Sequence, residues 1–321
     1  MNYRTYDKIS RLTFNHSSYF LIFIILLILL SNIISITNSS ILTISCFFLI
    51  CTIGICHGSL DNLKGDKLLK IYKIKNKSLF YLVYIFLSII VIIFWLLLPT
   101  LTPIIFLIIA SYHFGKEDTK PLLNVKNRKF FSKWFKSEFS NFIFFLKGML
   151  IVAAPLYFHY QETSIIFKIL GSNLGFDSID LALLYSISIF SYLWCLLFLQ
   201  TPNPNGAAVV LFDLASIILL NYFFTPLIAF TLYFCFLHSI RHSISLITML
   251  DKRNFAKGTR IFIKKALPLT IITAALFLIA VNFLSNSYEL NESIIKVIFT
   301  GLASLTFSHI LLEYLIEKNE Q

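Results

Sequence analysis

Two histidines, His238 and His242, lie one helical turn apart in the apolar stretch FLHSIRHS. Residues four apart on a helix face the same side, with Cβ atoms about 6 Å apart. Two imidazoles in that arrangement suit one divalent metal ion, because neutral imidazole is a common metal ligand. The HxxxH spacing alone is also compatible with hydrogen bonds between helices.

Three more histidines, His57, His113 and His309, each lie three to nine residues before a lysine that follows an apolar segment. A helix rises about 1.5 Å per residue, so these rings and those of the HxxxH pair fall in one layer roughly 10–15 Å thick. Ionisable side chains inside a bilayer are costly and face the protein interior. The common depth therefore predicts a four-histidine metal site that combines His57 and His113 with the HxxxH pair.

The remaining histidines have other expected positions. For His309 three roles remain open, a fifth ligand, a hydrogen-bond donor to the ligands or a polar group lining a cavity, and we favour the hydrogen-bond donor. His16 and His159 lie at the ends of apolar segments, so we expect them at the membrane interface.

Several carboxylates are placed to support the metal site. A metal-bound histidine usually donates its second ring nitrogen to a carboxylate or carbonyl. Asp61 in HGSLD, Asp118 in HFGKED and Glu313 each follow a histidine within five residues. Asp213 lies in the middle of an apolar segment and needs a partner, for which we predict Arg241.

The composition indicates an integral membrane protein. Hydrophobic residues make up 57% of the 321 positions and charged residues only 13%, against about 25% charged in soluble domains. A spanning helix needs about 20 mostly apolar residues. We predict an all-α, polytopic membrane helix bundle in which residues 1–321 form one membrane-embedded domain, with tails at 1–17 and 317–321. The ten predicted spans are 18–36, 41–60, 78–98, 100–115, 139–158, 180–200, 207–224, 226–249, 266–284 and 294–316, and eight spans remain the alternative.

The positive charge is distributed asymmetrically. If the N-terminus is cytoplasmic, 23 of the 27 Lys and Arg residues fall in cytoplasmic segments, as the positive-inside rule requires. This pattern predicts that both termini are cytoplasmic and that the histidines lie in the cytoplasmic half, and we expect the membrane to be the inner (plasma) membrane. Because the charge of +11 is divided among short loops facing anionic lipid, no nucleic-acid partner is expected.

Four short motifs together resemble one known family. CHGSLD at 56–61, YHFGKED at 112–118, HSIRH at 238–242 and the late histidine 309 resemble the Brp/Blh β-carotene 15,15′-dioxygenases of bacteria and archaea. The resemblance implies a membrane-embedded non-haem enzyme whose Fe(II) is held by four histidines. Those ligands would be His57, His113, His238 and His242. The implied reaction cleaves the central double bond of β-carotene with O2 to two all-trans retinal, and the implied functional partner is a retinal-binding opsin.

A carotenoid substrate would need an apolar cavity that opens to lipid. The aromatic residues nearest the predicted site could line it. These candidates are Tyr112, Phe114, Tyr233, Phe234 and Phe236.

Other functions remain compatible with an intramembrane histidine cluster. A haem-binding electron carrier would use two of the histidines as axial ligands. A proton-coupled transporter would use them as a relay with Asp213 and Arg241. A di-iron desaturase needs about eight histidines in HxxHH boxes, whereas this chain has seven and no such box.

Overall fold

A computed structural model describes residues 3–33, 39–122, 138–199 and 204–319 of the chain. Almost all of this part is helical, and it contains no strand, which confirms the predicted all-α class. The helices are α1 (Tyr3–Ile33), α2 (Ser39–Leu49), α3 (Asp61–Ile71), α4 (Ser78–Leu97), α5 (Leu101–Thr119), α6 (Glu138–Phe158), α7 (Tyr160–Ile169), α8 (Ser178–Leu199), α9 (Pro204–Phe223), α10 (Pro226–Leu232), α11 (Ile240–Leu250), α12 (Phe255–Leu284) and α13 (Leu290–Asn319).

Irregular helical turns interrupt two of the long segments. A π-helical turn, Ile50–Gly54, and a 3₁₀ turn, Ile55–Leu60, join α2 to α3. A second π-helical turn, Tyr233–Ser239, joins α10 to α11. π-Helical turns of this kind occur frequently at functional sites.

Within the described ranges, nine helical stretches are long and apolar enough to cross a membrane. Ten spans were predicted, and the one that is not among the nine is 100–115. It corresponds to α5, whose last turns carry the charged residues Lys116, Glu117 and Asp118. The polytopic helical architecture is therefore confirmed, while the orientation of the termini stays a prediction. Residues 34–36 and 200, at the ends of two predicted spans, lie outside the described part.

The bundle has an apolar outer surface and a partly polar interior. Trp95 is the buried residue of α4, and most other side chains of that helix are exposed and hydrophobic, as expected for a lipid-facing helix. Buried charged side chains instead lie on inward faces, and Arg241 and Lys147 are each only 1% exposed. The ammonium of Lys147 does not extend to the interface but donates to Thr119 Oγ1 at 2.9 Å in the interior.

Glycines allow α5 and α6 to pack at very short range. A Cβ at Gly148 would lie 1.8 Å from the Ser111 carbonyl oxygen, and one at Gly115 would lie 1.8 Å from the Phe144 carbonyl oxygen. Small residues permit such close helix contacts in membranes. Gly115 is two residues after His113, so this contact also fixes the height of the histidine.

We expect Gly148→Ala to lower the yield of folded protein severely, because the added methyl group must push α5 away from α6. Overpacking a tight core commonly costs about 1–3 kcal/mol, and here the obstruction is backbone. The readout is the monodisperse fraction in size-exclusion chromatography after detergent extraction. Gly175→Ala is the matched control, since no atom lies within 4 Å of its added Cβ. Equal yields from both variants would contradict the packing argument.

Candidate metal centre

Four histidine rings meet in the interior of the bundle. His113 comes from α5, His238 from the second π-helical turn, His242 from α11 and His309 from α13. Ring centroids are 5.4 Å apart for His113 and His238, 5.3 Å for His113 and His309, and 5.8 Å for His242 and His309. All four side chains are buried. The predicted common depth therefore corresponds to a real cluster.

Three of the rings have a carboxylate at Nδ1. The pairs are His238 with Asp118 Oδ1 at 2.9 Å, His242 with Glu117 Oε2 at 3.5 Å, and His309 with Asp61 Oδ2 at 2.8 Å. A carboxylate accepts hydrogen bonds and donates none, so Nδ1 carries the proton and Nε2 presents its lone pair. This carboxylate–histidine arrangement is the one that orients imidazoles toward a metal ion.

Two of these carboxylates are themselves held by tyrosines. The hydroxyl of Tyr233 donates to Asp118 Oδ2 at 2.6 Å, and the hydroxyl of Tyr84 donates to Asp61 Oδ2 at 3.0 Å. The centre thus contains two similar hydrogen-bonded chains. We call Tyr233–Asp118–His238 the first arm and Tyr84–Asp61–His309 the second arm.

A buried ion pair lies behind the first arm. Arg241 donates to both carboxylate oxygens of Asp213, at 2.6 and 2.7 Å, which confirms the predicted pairing. Ser17 of α1 donates to Asp213 at 3.0 Å and accepts from Arg241 at 2.7 Å. Arg241 also donates to the carbonyl oxygen of Asp118 at 3.4 Å. The pair therefore joins α1 and α9 to the backbone that carries an orienting carboxylate.

The irregular turns fix the histidine-bearing segments against each other. Ser239 Oγ donates to the Gly54 carbonyl oxygen at 2.8 Å, and a Cβ at Gly54 would lie 2.7 Å from the Phe234 ring. Gly54 is three residues before His57. The segment that carries His57 therefore packs directly on the π-helical turn that carries His238, although the side chain of His57 lies outside the described part.

A lysine–glutamate network covers one end of the cluster. Lys64 of α3 pairs with Glu313 of α13. Lys120, after α5, pairs with Glu117 at 2.9 Å and with Glu317 of α13 at 3.0 Å. These contacts connect α3, α5 and α13 beside the histidines and balance the charge of Glu117 and Glu313.

Three of the predicted lining residues lie against the cluster. Phe114 lies 4.7 Å from the His238 ring, centroid to centroid, and Phe234 stacks on the same ring at 6.0 Å. The hydroxyl of Tyr233, the third of them, donates a hydrogen bond to Asp118. The other two lie farther out: Phe236 packs on Phe23 at 5.4 Å, and the Tyr112 hydroxyl donates to Asn141 at 3.0 Å.

Two residues that contact the centre, Glu117 and Tyr84, were not predicted from the sequence, and the predicted position of one histidine differs from the observed one. Glu117 looked like an ordinary charged residue at a helix end, and Tyr84 looked like one of many aromatics in a lipid-facing helix. Of the two histidines expected at the interface, His159 lies 2.7 Å from Glu162 and is partly exposed. The ring of His16 instead donates through Nε2 to the Phe236 carbonyl oxygen at 2.8 Å.

The fold and the cluster define a class: a polytopic helical membrane protein with a buried histidine–carboxylate centre suited to a metal ion. A family model described as "Beta-carotene 15,15'-dioxygenase" matches residues 48–317. The chain therefore belongs to the β-carotene 15,15′-dioxygenase family, which confirms the resemblance of its motifs and makes it an oxidoreductase by family. The matched range contains every candidate ligand.

A relative of known name agrees with this assignment. The "Beta-carotene 15,15'-dioxygenase" of uncultured marine bacterium 66A03 is 28% identical over 268 residues, which cover 82% of this chain and 90% of the relative. No solved structure shows a significant match.

Proposed function

We propose that this protein cleaves the central 15,15′ double bond of β-carotene with O2, giving two molecules of all-trans retinal. The observation that carries the proposal is the buried cluster of carboxylate-oriented histidines among aromatic side chains in a membrane bundle. Family membership supports the reaction class. A lipid-dissolved hydrocarbon substrate also agrees with the apolar outer surface of the bundle.

Four histidines would hold Fe(II): His57, His113, His238 and His242. The donor set fits, because neutral imidazoles suit iron and the described rings are spaced for one ion. Two nitrogens bound at about 2.1 Å to one metal put their ring centres roughly 5 Å apart, close to the 5.4 Å between the rings of His113 and His238. Iron would supply the redox chemistry with O2 that amino acid side chains lack.

The protein's own groups orient the ligands and exclude water. Asp118 and Glu117 keep the protons of two ligands on Nδ1, which fixes the tautomer and the ring angle. Phe114 and Phe234 shield the His238 ring with apolar surface. With Tyr112, Tyr233 and Phe236 they are the candidates to line the substrate cavity, whose dry walls would protect reactive species from water.

The ring geometry disfavours a haem carrier. A haem with two histidine ligands needs them on opposite faces of a flat macrocycle. In this cluster the third and fourth rings would occupy the plane of that macrocycle, because neighbouring centroids are less than 6 Å apart.

We also propose the orientation that the charge distribution predicts. Both termini would be cytoplasmic, the centre would lie in the cytoplasmic half of the plasma membrane, and residues 1–321 would act as one domain. The retinal formed would be available to an opsin in the same membrane. Reporter fusions at both termini test the orientation, and an external terminus would contradict it.

The direct test is expression in a bacterium that makes β-carotene. We expect the orange colour to fade and all-trans retinal to accumulate, as measured by chromatography of extracts. Intact β-carotene in cells that contain folded, iron-loaded protein would refute the proposed reaction. A product shorter or longer than retinal would refute central cleavage.

We expect Asp118→Asn to weaken metal binding about 10- to 100-fold, the usual effect of removing a partner that orients a ligand. The amide cannot accept from His238 Nδ1 and from Tyr233 as the carboxylate does. Iron content after dialysis against graded chelator measures the effect. Glu162→Gln, which alters the contact to the remote His159, is the matched control. Equal iron retention in both variants would contradict the orienting role.

A further inference from the structure

The second arm gives His309 the same features as the ligands on the first arm. We infer that His309 is a direct ligand of the metal ion, in addition to the four histidines that the family resemblance implies. The inference rests on the proposed metal centre and adds a fifth imidazole to it. Among the three roles left open by the sequence, it selects the fifth ligand over the hydrogen-bond donor that the sequence favoured.

The ring of His309 lies as close to its neighbours as the proposed ligand rings lie to each other. His309 lies 5.3 Å from His113 and 5.8 Å from His242, centroid to centroid. The separation of His113 and His238, both proposed ligands, is 5.4 Å. Ligands of one ion have ring centres roughly 5 Å apart, so His309 is as well placed as the others. Within the described ranges, donor atoms of His113, His309 and Glu313 also lie within 4.8 Å of one another.

The ring of His309 is also oriented by a carboxylate, as the proposed ligands are. Both carboxylate oxygens of Asp61 lie within hydrogen-bonding distance of His309 Nδ1, at 2.9 and 2.8 Å. Tyr84 and Lys64 hold that carboxylate, the latter at 3.9 Å. Nδ1 is therefore the protonated nitrogen, and Nε2 carries the lone pair that would coordinate a metal ion. His238 has this same arrangement on the first arm.

A supporting role for His309 is less consistent with the contacts. A histidine that only orients another ligand would contact that ligand's second nitrogen. Those positions are already filled for two ligands, by Asp118 at His238 and by Glu117 at His242. Glu313 is the other candidate near His309 Nε2, at 4.0 Å. It is paired with Lys64, which lowers its tendency to bind a cation.

The fifth imidazole has a consequence for the centre. Five neutral nitrogens would leave the +2 charge of the ion unchanged. The ligands would come from α5, the 3₁₀ turn Ile55–Leu60, the π-helical turn Tyr233–Ser239, α11 and α13. The ion would therefore link the N-terminal and C-terminal parts of the chain, because His57 and His309 are 252 residues apart.

The test uses full-length protein in nanodiscs, loaded with Co(II) in place of iron. The visible absorption of Co(II) depends on coordination number and on its nitrogen ligands. We expect His309→Gly to change this spectrum and added imidazole to restore it, because free imidazole can occupy the vacated position. Asp61→Asn should keep the five-nitrogen spectrum with an affinity about 10- to 100-fold lower. His159→Gln, remote from the cluster, should match the unmodified protein in both respects.

A His309→Gly spectrum identical to that of the unmodified protein would overturn the inference, and so would a changed spectrum that imidazole does not restore. His309→Gln, a milder change, must show the same spectral shift if the glycine variant folds poorly. The proposed function can fail separately. Unmodified protein that binds Co(II) with the expected histidine dependence, but forms no retinal when it is loaded with iron, would refute the reaction and leave the ligand assignment standing.

Discussion

Retinal production is expected to fall below about 1% of the unmodified level in His238→Ala and in His242→Ala. Removing a group that merely orients a ligand costs about 10- to 100-fold, and removing the ligand itself should cost more. Both rings are buried and carry an oriented Nε2. The measurement is retinal per milligram of membrane protein in β-carotene-producing cells.

The matched control is His159→Ala, whose imidazole is partly exposed and pairs with Glu162 outside the cluster. We expect its retinal yield to remain within about twofold of the unmodified level, as for most surface substitutions. Iron content measures the loss of metal, and the size-exclusion profile measures the loss of folded protein, so the two together distinguish these causes. Full activity in His242→Ala would remove that residue from the ligand set and would leave the HxxxH pair without a catalytic explanation.

The depth of the histidines could be predicted from sequence, because two simple rules determine it. Apolar length sets where a span ends, and basic residues mark its cytoplasmic end. His113 lies three residues before Lys116, and His309 lies nine before Lys318. These distances were enough to place both rings in one layer. The cluster itself was then expected, because buried polar groups in a bilayer must face each other.

The pairing of carboxylates with histidines could not be predicted in the same way. Asp61 and Asp118 follow His57 and His113 closely in sequence, yet they contact His309 and His238. Those pairs are separated by 248 and 120 residues. They depend on which helices are neighbours in the bundle, and apolar periodicity does not determine that order.

The sequence also did not predict where the backbone departs from a regular α-helix. The segment from Pro226 reads as one uniform helix, but it contains the π-helical turn Tyr233–Ser239. The extra residue in such a turn rotates the rest of the helix about its axis, so the faces of His238 and Arg241 differ from those of a regular helix. The predicted contact between Arg241 and Asp213 is nevertheless present, because a buried charge in an apolar segment needs a partner of opposite sign.

A marked loss of stability is expected when the buried pair is broken on one side. Arg241→Met leaves Asp213 as an uncompensated charge, 2% exposed, with the Ser17 hydroxyl as a remaining donor. Breaking a buried ion pair in this way typically costs about 3–5 kcal/mol. Because Arg241 also donates to the Asp118 backbone, part of the damage should reach the first arm. The measurement is the midpoint of thermal unfolding in detergent, with iron content as a second readout.

The double variant Arg241→Met/Asp213→Leu distinguishes the missing partner from the missing volume. Replacing both members of a buried pair by apolar side chains is often neutral or stabilising, so the double variant should unfold at a higher temperature than the single one. Lys264→Met, at an exposed position of α12, controls for the loss of one positive charge. If the single and double variants unfold at the same temperature, the unpaired Asp213 charge is not the cause, and the arginine would act mainly through its contact with the Asp118 carbonyl. In that case iron retention should fall equally in both variants, whereas an effect through Asp213 alone predicts recovery in the double variant.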